Sequence, residues 1–166
     1  MFATKPISHD SVAGALAKAE RYRLLNEPSE AESICYDILD LEPDNQQALT
    51  SLVLALTDQI EHDSRSFETA VSATQKLTSP YERIYYTGIA WERRAKARHR
   101  TGGHGSGPYV YEWIRRAMQS FEEAESLRAP GNDDAILRWN ACVRFLQQHP
   151  EIAPRVEETP EPILSE

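Results

Sequence analysis

Residues 117–124 read Ala117-Met118-Gln119-Ser120-Phe121-Glu122-Glu123-Ala124, and their spacing decides the fold. Ala117, Phe121 and Ala124 recur at i, i+4 and i+7, so a helix carries them on one face. Small residues let a second helix approach closely, and the large ring fills the space between. One helical segment earlier stand Gly88 and Trp91, again a small residue beside a large one. Near the N-terminus Ala31, Cys35 and Ile38 repeat the same spacing, with Ala19 and Tyr22 one segment before them. The chain is therefore expected to be all-helical, built from pairs of helices.

The punctuation agrees. Pro28, Pro43, Pro80, Pro108, Pro130 and Pro150 separate the periodic segments. Proline lacks a backbone donor and clashes with the preceding turn, so it sits at helix starts or past helix ends. Ser29-x-x-Glu32 and Ser79-x-x-Glu82 have the form of capping boxes, and Asp44-x-x-Gln47 is a looser version. Alternating β-branched runs and Asn-Gly hairpin signals are missing. Reading from break to break predicts seven helices at about 9–26, 30–41, 45–61, 66–78, 80–100, 108–128 and 132–148. The short connections predict antiparallel neighbours.

Taken together, these motifs resemble the tetratricopeptide repeat family, whose unit runs W-x2-L-G-x2-Y, then A-x3-F-x2-A, then P. Ala19, Tyr22, Ala31, Cys35, Ile38 and Pro43 fill the slots of a first unit. Leu49, Leu52, Leu56, Ala70, Thr74 and Leu77 give a weaker second, with about five inserted residues around His62 to Arg65. Gly88, Trp91, Ala117, Phe121 and Ala124 give a third, with Pro130 one residue late. The resemblance implies a right-handed superhelical stack of three hairpins over residues 8–149. A last helix, through Leu137 and Trp139, is expected to cap the open end. Residues 150–166, with four prolines and five glutamates against one arginine, read as a disordered acidic tail.

The third unit departs from the plain repeat. Its helices are expected to be elongated and to project beyond their neighbours, joined by the glycine-rich stretch 101–107. Charge changes with it. Residues 1–79 carry net -7, residues 80–121 net +5 and residues 122–166 net -6, within an overall -8. Eight of the fourteen aromatics also fall in 80–121. Arg93, Arg94, Lys96, Arg98, His99 and Arg100 form the centre of this basic stretch. They read as a surface for an anion or acidic peptide. Equally, they read as a solvated helix whose arginines cover its own apolar stem. The acidic flanks argue against nucleic acid.

Catalytic and cofactor motifs do not emerge. Lys does not follow the glycine stretch as a phosphate loop requires, and His104 stands where a nucleophile elbow needs glycine. The five histidines form no metal-ligand spacing, and Cys35 and Cys142 read as buried free thiols. The expectation is no enzyme, no cofactor and no metal. The N-terminus lacks a signal-peptide core and no apolar run reaches bilayer length, so a cytoplasmic protein without membrane contact is expected.

The family resemblance implies protein binding in a concave groove lined by the first helix of each pair. Slot by slot this gives Leu16, Glu20 and Arg23, then Thr50, Leu54 and Thr57, then Tyr85, Ile89, Glu92 and Arg93. Lys96 and Arg100 extend the third set along the basic patch, and Arg138 and Arg144 come from the last helix. The expected partner is another protein or peptide segment, extended or acidic, with the chain acting as adaptor or scaffold. A self-assembling homo-oligomer, in which Glu151, Glu157, Glu158 and Glu161 pair with the basic hairpin, is the alternative. A secretion-type chaperone is a variant of the adaptor.

Overall fold

Ser79 shows how closely the helices follow their local signals. Its hydroxyl accepts from the Glu82 amide at 3.2 Å, with Pro80 locked as the first helical residue. The structure, a computed structural model, describes residues 2–103 and 105–155. After a single 3-10 turn at His9–Ser11 come α1 (Val12–Leu24), α2 (Pro28–Leu41), α3 (Gln46–Asp58), α4 (Arg65–Thr74), α5 (Pro80–Thr101), α6 (Gly107–Leu127) and α7 (Asp134–Gln148). Each helix packs antiparallel on the next, and α1 also meets α3 and α3 meets α5. Among the described residues the protein is all-α, seven helices in sequential pairs, consistent with a stack of helical hairpins.

Two caps differ from expectation. Asn45, not Asp44, caps α3, its carbonyl oxygen accepting from the Ala48 amide at 2.9 Å. Helix α2 starts at Pro28, one residue before Ser29, so Ser29 lies inside the first turn and caps nothing. Helix α4 ends at Thr74 rather than 78, because Lys76 and Leu77 donate to Ala73 and Thr74 in a tightened turn that buries Leu77.

The slot residues make the core. Ala19, Ala31, Cys35 and Ile38 are fully buried in the first pair, and Ala117, Phe121 and Ala124 in the third. At Gly88 a Cβ would stand 2.7 Å from the Phe121 ring, well inside van der Waals contact. The ring therefore occupies the space that glycine vacates, and this contact sets how closely α5 approaches α6. Cys35 and Cys142 are free and buried, and desolvation pushes each thiol up to about 12.

The third hairpin is elongated as expected: α5 and α6 have 22 and 21 residues, against 10 to 14 in α1–α4. It does not project as a bare arm. The residues inserted between α3 and α4 run alongside it, where Ile60 and Phe67 cluster with Ala90 and Ala97, and Glu61 pairs with Arg100 at 2.8 Å. Its far end turns through Gly102 and Gly103, both at positive φ. Past α7 the chain folds back and buries Ile152 with Val110 and Ile114 of α6. Ile152, three residues past the expected boundary at 149, thus packs on the helical stack. Glu157, Glu158 and Glu161, expected to pair with the hairpin, lie outside the described residues.

The last helix packs on α6 at the end of the stack, as expected, but Leu137 and Trp139 are not the residues it buries. Leu137 and Trp139 are 63% and 36% exposed, on the outer face of α7. The inner face carries Ala135 and Cys142, both fully buried, with Phe145 packed beside them. The inward stripe runs through 135, 138 and 142, a register that points 137 and 139 away.

Candidate functional site

A groove of about 520 Å³ lies between α1 and α3, closed on one side by Glu82 of α5. Leu16, Glu20 and Arg23 project from α1 at i, i+4 and i+7, one side of the helix. Gln46, Gln47, Thr50, Ser51 and Leu54 face them from α3. Leu16 and Leu54 supply apolar surface, while Gln47, Thr50 and Ser51 supply side chains that both donate and accept hydrogen bonds. The structure thus brings together Leu16, Glu20, Arg23, Thr50 and Leu54. Neither Glu20 nor Glu82 forms an ion pair among the described residues.

The expected residues of the third unit are placed differently. Ile89 is 1% exposed, in the core between α5 and α6, and lines no open surface. Its slot turns inward because α5 is covered on that side by the long α6. Glu92 is equally buried. Tyr85 is half-buried, its ring stacked on Tyr81 at 5.6 Å and leaning on Phe121. Tyr81, Tyr85 and Tyr86 line a second cavity of about 330 Å³ that meets the first at Glu82.

The cations are held by carboxylates of the same chain. Arg93 donates to the Leu54 carbonyl at 3.1 Å, to the Thr57 hydroxyl at 2.6 Å and to Asp58 at 2.6 Å. Arg23 takes the other Asp58 oxygen at 2.9 Å, so one aspartate bridges two arginines from different hairpins. Burial lowers the Arg93 guanidinium from its ordinary value, against the opposing pull of Asp58. Lys96 lies 2.5 Å from Glu92, Arg138 approaches the second Glu92 oxygen at 3.6 Å, and Arg100 pairs with Glu61. Burial opposes the Arg138 charge, but Glu92 and the Tyr85 hydroxyl outweigh it and raise the group above its ordinary value. A cavity of about 200 Å³ gathers Arg93, Lys96 and Arg100 along one side of α5, facing Asp58 and Glu61. Arg144 is exposed on α7, apart from these groups.

Two further arginines of the hairpin, Arg94 and Arg116, lie on aromatic faces. Arg94 sits 4.1 Å from the Phe67 ring centre and 4.4 Å from that of Trp113, with Glu68 at 3.8 Å. Arg116 lies 4.8 Å from Trp91 and pairs with Glu112 at 2.7 Å. These are cation–π contacts inside one molecule. Asp58 and Glu61, which neutralise the basic side of α5, were missed by motif reading. Their signal was charge complementarity: i and i+3 acids on the segment beside an i, i+3, i+7 basic row.

No family model matches this chain, and no curated protein matches it. Its class rests on the fold: seven helices among the described residues, packed in sequential pairs. None of its described helices is long and apolar enough to cross a membrane.

Proposed function

We propose that this chain is a protein-interaction module of the tetratricopeptide type, an adaptor that holds an extended polypeptide segment in the α1–α3 groove. The observation that carries this reading is the groove itself. Its lining comes from the first helix of each of the first two pairs, at the positions that the slot pattern assigns to partner contact. A segment lying there would rest apolar side chains on Leu16 and Leu54. Its backbone would exchange hydrogen bonds with Gln47, Thr50 and Ser51.

The charge pattern refines the partner. Arg23, Arg93, Lys96 and Arg100 are each engaged with Asp58, Glu92 or Glu61, so the cations beside the groove are already met, whereas Arg98 and Arg115, without an acidic partner among the described residues, lie farther along the hairpin. Glu20 and Glu82 are the groove charges left for a partner, and they favour a segment with a basic side chain. Selection of displayed random peptides on the full chain tests this. Extended peptides with a Lys or Arg are the expected winners, and E20K should reverse the charge preference. Peptides that bind a Thr50→Arg, Leu54→Arg variant as well as the wild type would overturn the groove as the site.

A further inference from the structure

We infer that His99, His149 and Glu151 form a binding site for one divalent transition-metal ion of the zinc class, a clip that fastens the segment after α7 onto the far end of α5. The three come from separate places in the chain. His99 lies in the last turns of α5, His149 caps the C-terminal end of α7, and Glu151 stands in the turn beyond. Their ligand atoms nonetheless all lie within 4.8 Å of one another.

The geometry suits a metal better than it suits an ion pair alone. His149 Nδ1 and Glu151 Oε1 are 3.2 Å apart. Tetrahedral zinc with bonds of about 2.0–2.2 Å sets neighbouring ligand atoms about 3.3 Å apart. The two imidazoles are already edge to face, with centroids 4.3 Å apart and planes at 62°. Closing the third ligand onto the ion takes at most about 1.5 Å of movement from the present 4.8 Å limit. Phe145 forms an apolar wall, with its ring centre 4.8 Å from that of His149 and 5.4 Å from that of His99. Lys96, the cation near this wall, is neutralised by Glu92 at 2.5 Å. Two neutral imidazoles and a carboxylate are a donor set that zinc accepts, with a water completing the fourth position.

The backbone is arranged to hold these donors. The Ile152 amide donates to the His149 carbonyl at 2.9 Å, which closes the turn that carries Glu151. Ile152 is buried, and the Glu151 carbonyl lies against Gly107, where a Cβ would approach to 2.9 Å. Arg155 then reaches the Tyr109 hydroxyl at 3.4 Å. An ion at this point would therefore tie α5, α7 and the start of α6 at one place.

Titration of the full chain with Zn²⁺ alone, followed by calorimetry and by proton spectra of the imidazoles, tests the site. One equivalent is expected to bind, moving the ring signals of His99 and His149 among the five histidines and slowing exchange of the Ile152 amide. A double variant, His99→Ala with His149→Ala, should lose more than about 100-fold in affinity, beyond what loss of an outer-shell partner costs. E151Q should weaken binding without unfolding, and Mg²⁺ should not compete. Absence of binding, ring shifts confined to other histidines, equal uptake by the double variant, or equal uptake of Mg²⁺ would each overturn the assignment. The ring shifts need only the wild-type chain, so misfolding of a variant would not protect the inference.

Discussion

The first two hairpins and the third use charged side chains in opposite ways. Between α1 and α3 the helices are short, and Glu20, beside an open groove, forms no ion pair among the described residues. Along α5 and α6 the helices are long, and five of their eight Lys and Arg side chains are paired with Asp58, Glu61, Glu68, Glu92 and Glu112, with Arg94 and Arg116 also lying on aromatic rings. The +5 of residues 80–121 is thus partly met by the acidic segment before it. Net charge over a window of sequence says where ions are concentrated, not where they are available.

The strongest test of this contrast removes Phe121. F121A leaves the space under Gly88 empty and should cost about 3–5 kcal/mol, read from the urea midpoint. The two buried thiols localise the damage. Labelling of Cys142 should accelerate strongly, while Cys35, in the first hairpin, changes little; equal acceleration would show one cooperative core instead of two regions.

Asp58 joins the regions, and its loss comes next. D58N should cost about 2 kcal/mol, because hydrogen bonds to charged groups carry about 1.5–3 kcal/mol and both arginines are only partly exposed. If the hairpin's cations are silent only because they are paired, this variant should also gain binding of acidic peptides. Unchanged peptide preference would detach the charge network from recognition.

Gly88→Ala follows at roughly 1 kcal/mol of destabilisation, since overpacking against the Phe121 ring outweighs the roughly 1 kcal/mol that alanine gains over glycine in a helix. A stabilised G88A in thermal denaturation would mean that the ring can retreat. Smallest is the exposed Arg100–Glu61 pair: R100A should move stability by less than about 1 kcal/mol and leave peptide capture intact.

Acid should also loosen the N-terminal pair. The Glu42 carboxylate accepts from Asn45 and bonds His9, and these contacts hold it below the usual carboxylate range. A carboxylate depressed in the folded state stabilises at neutral pH, and that contribution is lost as pH falls through its folded value. E42Q should flatten this part of the acid limb in a urea series against pH.

The helical pairs were legible in the sequence because small and large residues at Ala31, Cys35, Ile38 and at Ala117, Phe121, Ala124 encode close packing directly. The groove residues of the first two units were legible through the same register. What escaped the sequence depends on elements that meet from a distance. Ile89 occupies a slot that faces outward in a short repeat, but α6 extends over it. Leu137 and Trp139 look like capping residues until the register of Ala135 and Cys142 turns them out. His99 and His149 have no motif spacing, since a fold-back after α7 brings them together.

The tryptophans divide along the same line. All three belong to α5, α6 and α7: Trp91 and Trp113 lie against guanidinium groups, and Trp139 faces outward. Tryptophan fluorescence therefore has no reporter on α1, α2 or α3, and Trp91 meets Phe67 of α4, whereas far-ultraviolet dichroism sees every helix. The separation between the two melting curves measures how firmly α1–α3 are coupled to α5, with no label added.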